Sequence, residues 1–180
     1  MRVVSVVAFA GLFAAFGAGA ASAQTATQDI NITATVTKAC TINNTATGTP
    51  GSATIPVTAA GAVTTTAITP SGSPFANVAC NAASNLQLTS VNGGVVNATA
   101  PGGGFTNIID YTASATWNSQ TATVDTTTNP AAAGNESGAV VAVGTANSGN
   151  LTVSITPVAN ALPLVVGAYS DTLRITLTPQ

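Results

Sequence analysis

Apolar residues recur at every second position in stretch after stretch of this chain, and such a period of two marks β-strands with one apolar face. The first is Thr25 to Ile42, where Ile30, Ile32, Ala34 and Val36 alternate with polar residues just ahead of Cys40. Pro74 to Cys80 puts Ala76, Val78 and Cys80 on one face, and Ser84 to Val91 carries Leu86 and Leu88 before Gly93-Gly94 breaks the pattern. From Phe105 to Trp117 the odd positions Phe105, Asn107, Ile109, Tyr111, Ala113, Ala115 and Trp117 form one long half-buried strand or two in line. Ala139 to Val143 and the Leu151, Val153, Ile155 series ending at Pro157 add two more. Tyr169 to Pro179 closes the chain, alternating Leu173, Ile175 and Leu177 against Thr172, Arg174, Thr176 and Thr178.

Between these lie weaker β-prone pieces at Ala53 to Val57 and Ala62 to Ile68, and a stretch from Thr121 to Gly138 that reads as a polar loop. No segment after residue 24 carries a 3.6-residue period. Short strands separated by turn signals, most with one apolar side, predict an all-β domain of two sheets around a shared apolar layer.

The beginning of the chain follows different rules. Arg2, the apolar run from Val3 to Phe16 and the small-x-small site Ala21-Ser22-Ala23 read as a secretory leader over 1–23. The expected organisation is this leader, then 24–38 as a terminal strand, then a β domain over 39–180. About 155 residues remain after the leader, enough for one domain with a sizeable core. The first strand then becomes the free N-terminal end, available to its own domain or to another molecule.

Composition narrows the function. Charged residues make up 4% of the chain, and beyond the leader the cations are Lys38 and Arg174. Two cations assemble no phosphate-binding patch, so nucleic acid is not an expected partner. Abundant Thr, Ala, Val, Asn and Gly with so little charge suit a β surface prone to association rather than a disordered chain. Cys40 and Cys80 are the two cysteines. In an exported chain they are expected to form a structural disulfide, closing a loop of about 40 residues worth about 3 to 4 kcal/mol in the chain-entropy picture.

Candidate chemistry is sparse. The chain has no histidine, which removes the usual nucleophile–base pairs, and neither cysteine sits in a C-x-x-C. Asp29, Asp110, Asp125, Glu136 and Asp171 are scattered singly, with turn or solvated roles expected for each. Gly102 to Gly104 has no following Lys or helix to cradle a phosphate. Tyr111 and Trp117 fall on an alternating strand, where aromatic residues belong to the core. No catalytic, metal or cofactor site is expected, and the chain does not read as an enzyme.

The arrangement resembles the spore coat protein U domain family, which includes subunits of archaic, Csu-type chaperone-usher pili. The resemblance rests on DINITATVTKACTI, on FANVAC about 40 residues later, and above all on the terminal Gly167-Ala168-Tyr169-Ser170-Asp171-Thr172-Leu173 with its alternating tail. It implies an immunoglobulin-like β-sandwich lacking its last strand, secreted through the periplasm to the cell surface. A periplasmic chaperone would lend the missing strand, and at an outer-membrane usher the N-terminal strand of another copy or a related pilin would replace it. Ile30, Ile32, Ala34 and Val36 would be the donated residues. Leu173, Ile175 and Leu177 would line the accepting groove, since the missing strand would have followed them. The competing readings are a non-polymerising secreted coat protein of the same fold and a minor adhesive subunit.

Overall fold

The computed structural model describes residues 26–45, 48, 51–128 and 134–180. The chain divides into two units, Met1–Thr35 and Val36–Gln180. In the first unit, residues 26–35 belong to no strand, and Ile30 and Ile32 are 80% and 91% exposed. Their alternation predicts a strand, and no ladder among the described residues contains them. Period two makes an apolar face, but the backbone still needs a partner to satisfy its N–H and C=O groups as a strand. The leader expected over 1–23, and the first two residues of the 24–38 segment, lie outside the described residues.

The second unit is built from β1 (Cys40–Thr41), β2 (Phe75–Cys80), β3 (Ser84–Ser90), β4 (Val95–Val96), β5 (Ile108–Ile109), β6 (Tyr111–Trp117), β7 (Gln120–Asp125), β8 (Glu136–Ser137), β9 (Val141–Val143), β10 (Asn147–Pro157) and β11 (Leu173–Pro179). A single 3-10 turn, Thr126–Thr128, is the one helical element among the described residues. One sheet runs β1-β2-β10-β6-β7, and a second runs β11-β3-β8 with β9 also on β3; β4 and β5 form a separate pair. Every strand pair is antiparallel. The expected all-β architecture is therefore present.

Both sheets contribute to one core. Val78 and Cys80 on β2, Ala115 and Trp117 on β6, and Leu151 on β10 meet Leu86 and Leu88 of β3. Each is buried because its strand alternates, which sends the intervening Thr, Ser and Asn outward. Tyr111 and Trp117 lie in this core, as their strand position predicts.

Several elements differ from the pattern-based expectation. In β2, Phe75 is buried and Ala76 exposed, so the inward face is not Ala76-Val78-Cys80 throughout. Asn77 has φ of 53°, and the pairing with β10 shifts register between Gly149 and Leu151. Such a bulge adds a residue and flips the parity of everything before it. Phe105 is exposed, so the inward series on the following strands begins at Ile109.

The stretch expected as a loop from Thr121 holds β7, with Ala122 and Val124 buried. Asn118 and Ser119 both have positive φ, 49° and 59°. That is the geometry of a two-residue hairpin turn whose twist matches the flanking strands, and it folds β7 directly back on β6. The terminal strand begins at Leu173 rather than Tyr169, and the 139–143 strand spans Val141–Val143 alone. The pieces at 53–57 and 62–68 contribute isolated bridges, Val57 to Val63 and Ile68 to Ile155. Asp110, expected on the solvent side, is half-buried with Thr126 Oγ1 at 3.3 Å from its Oδ1, and burial raises its carboxyl above the ordinary value.

Candidate functional site

β11 is an edge. It pairs with β3 from Leu173↔Ser90 to Pro179↔Ser84, and no other strand among the described residues pairs with it. At either end of this ladder Val91 N donates to Thr172 O (3.0 Å) and Gln180 N donates to Ala83 O (2.7 Å). These bonds set the parity of the antiparallel ladder: the even positions of β11 exchange bonds with β3, and the odd positions turn their backbone groups away. Leu173, Ile175 and Leu177 therefore present N–H and C=O groups to the open side. The same three side chains pack against the core yet stay half-exposed.

A furrow follows this edge as three adjoining cavities. One of about 280 Å³ lies between Cys40, Thr41 and Ile42 on one side and Ile175 and Leu177 on the other. The next, about 400 Å³, is walled by Ala53, Phe75 and Ile155 opposite Leu173 and Ile175. The third, about 490 Å³, runs between Ile55 and Ile155 and the stretch Tyr169 to Leu173. Ile175 borders the first two, and Ala53, Ile155 and Leu173 border the last two, so the furrow is continuous. Its floor is apolar, and one rim is a strand with unpaired backbone groups.

The furrow is held at two points. At the β1 end, the expected disulfide is formed between Cys40 and Cys80, which face each other in the β1–β2 ladder with Cα atoms 4.1 Å apart. Where the second and third cavities meet, Asp171 gathers donors from three parts of the chain. Its Oδ2 accepts from Ser90 Oγ and from Tyr111 OH, both at 2.6 Å, and its Oδ1 accepts from Asn92 N at 2.9 Å and Thr172 N at 2.7 Å. Burial raises the Tyr111 phenol well above its usual value, and the hydrogen bond to the Asp171 carboxylate adds to the shift. Asp171 is thus the acceptor that pins the start of β11 to β3 and β6, where a simple turn role was expected.

The residues singled out in the sequence fall in two places. Leu173, Ile175 and Leu177 line the furrow. Ile30, Ile32, Ala34 and Val36 are all exposed. Sequence reasoning missed the opposite wall, made by residues 51–57, Phe75 and Ile155, and the polar cluster at Asp171. Ile155 carried a signal as the third member of the Leu151, Val153 series, and Ala53 to Val57 a weak one as a β-prone piece.

Among the described residues no group of three or more His, Cys, Asp or Glu is placed to hold a metal ion. The arrangement is suited to an extended peptide: backbone groups on the rim for a ladder, and successive cavities for alternate side chains. Compared with protein-family models, with curated proteins and with solved structures, the chain matches none.

Proposed function

We propose that this chain is a structural subunit of an extracellular pilus-like fibre that polymerises by donor-strand exchange. The observation that carries the reading is the furrow beside the unpaired edge of β11, in a chain whose own N-terminal segment is alternating, apolar and exposed. In this reading the two sheets are an immunoglobulin-like sandwich that lacks its last strand, as the resemblance to the spore coat protein U family implies. Ile30, Ile32, Ala34 and Val36, in the 24–38 segment of one copy, enter the furrow of the next. Before assembly a periplasmic chaperone fills the same furrow, and an outer-membrane usher hosts the exchange. The protein acts without catalysis or cofactor.

Magnitudes support the reading. Burying Ile30, Ile32 and Val36 at about 1.5 to 3 kcal/mol each gives roughly 5 to 9 kcal/mol before ordering costs, with a backbone ladder in addition. A one-residue slip would turn all of them outward, so register is strict.

The test uses a subunit beginning at Lys38 and a synthetic peptide spanning Gln24 to Lys38. At about 100 times the dissociation constant the peptide stabilises its receiver by about 2.7 kcal/mol, a rise of about 5 to 10 °C in melting temperature for a domain of this size. An Ile32→Asp peptide gives no rise. A truncated subunit that ignores both peptides, or that forms head-to-tail fibres alone, would sink the proposal and favour the coat-protein reading.

A further inference from the structure

Asn81 is exposed, directly follows β2, and makes more of its side chain than an exposed asparagine needs to. Its Nδ2 donates to Thr37 O at 2.8 Å, and its Oδ1 accepts from Ala39 N at 2.8 Å. Its backbone N donates to Ala39 O at 3.1 Å. The next residue, Cys40, is joined to Cys80 by the disulfide and sits opposite it in the ladder. Residues 37–40 are thus held by two consecutive residues, 80 and 81, through three hydrogen bonds and one covalent bond.

The hold begins abruptly. Val36, one residue before Thr37, is 80% exposed, and residues 37–39 are likewise exposed and in no strand; the bonds to Asn81 are what set them apart. Val36 is also the last apolar residue of the alternating segment.

We infer that Asn81 is a positioning residue that clamps the root of the donated segment and so sets the spacing and bending freedom between consecutive subunits; this rests on the donor-strand reading above. An extended chain advances about 3.3 Å per residue. With the clamp closed, a Val36 seated in the neighbouring copy is one residue, about 3 Å, from the first fixed atom of its own domain. With both side-chain bonds lost, the first fixed point is Ala39, still held through its C=O by the Asn81 backbone N, and the slack grows by two residues, about 7 Å. A slack of that size lets two domains swing; its absence makes them abut. Asparagine is the residue for this because one side chain must donate to a carbonyl and accept from an N–H two residues apart. Aspartate keeps the acceptor alone, and alanine keeps neither.

The experiment uses the full-length chain with Asn81→Ala and Asn81→Asp. In the unpolymerised protein the Ala39 amide exchanges its hydrogen about 10-fold faster in Asn81→Ala, close to the wild-type rate in Asn81→Asp, and the melting temperature moves little in either. In electron micrographs Asn81→Ala fibres show a several-fold shorter persistence length and a more variable axial repeat, with Asn81→Asp between the two. Unchanged Ala39 exchange, or Asn81→Ala fibres as stiff and regular as wild type, overturns the clamp and leaves donor-strand exchange standing. Absence of fibres from the wild-type chain with chaperone and usher supplied overturns the donor-strand reading, and the spacing role with it.

Discussion

β3 and β11 lie side by side, each seven residues long and each alternating apolar with polar positions. Their fates differ. Leu86 and Leu88 of β3 are fully buried, whereas their cross-strand partners Leu177 and Ile175 on β11 are half-exposed. β3 has β11 on one side and β8 and β9 on the other, while among the described residues β11 has β3 alone. Alternation decides which face of a strand is apolar, and the number of neighbours decides how far that face leaves water. An edge strand with a full apolar face is normally a liability that proteins shield. Here the furrow beside it is what a second strand would fill.

The largest effect should fall on the enclosed strand. Leu88→Ala is expected to cost about 2 to 5 kcal/mol in urea unfolding of the free protein. Its partner change, Ile175→Ala, should cost less, about 1 to 2 kcal/mol, because the side chain starts half in water. Added peptide 24–38 should widen the Ile175→Ala loss toward that of Leu88→Ala. Equal costs in the free protein would mean that β11 is as enclosed as β3.

The pin at the start of β11 comes next. Tyr111→Phe removes a hydrogen bond to a carboxylate and should cost about 1.5 to 3 kcal/mol at neutral pH. It should also change the alkaline limb. Because burial raises the Tyr111 phenol above the ordinary tyrosine value of about 10, the folded protein holds a proton that the unfolded chain releases above that pH. Stability is then fully present below about pH 10 and falls as pH rises beyond it. The Phe variant should lose that slope, as a pH series of denaturation curves would reveal; an unaltered slope would assign the alkaline loss elsewhere.

The smallest effect belongs to the outward face of the same edge. Thr176, exposed between Ile175 and Leu177, should tolerate Thr176→Ala within about 0.5 kcal/mol. A larger loss would show that the solvent face of β11 is also engaged.

Legibility along the chain follows the range of the interactions concerned. Leu86, Leu88, Tyr111 and Trp117 were readable as core because strand parity is a local property. The Cys40–Cys80 bridge was readable from there being one pair to make. β7 was misread because its signal, Ala122 and Val124 among threonines, is weak, and because the positive φ of Asn118 and Ser119 is not visible in residue type alone. The bulge at Asn77 inverted the parity at Phe75, since one added residue is enough to exchange the faces. Asp171 gave no hint of its cluster, because Ser90 and Tyr111 lie 81 and 60 residues away in sequence.

By itself, then, the order of residues determined the β character, the apolar face of most strands, the disulfide and the apolar alternation of residues 30–36. Those follow from backbone periodicity and residue chemistry, which act over a few positions. Tertiary structure alone decided that β11 is an edge, that residues 51–57 and Ile155 form the wall opposite it, that Asp171 pins the start of β11, and that Asn81 holds residues 37–39. Such features depend on which distant segments become neighbours, and a period of two carries no information about that choice.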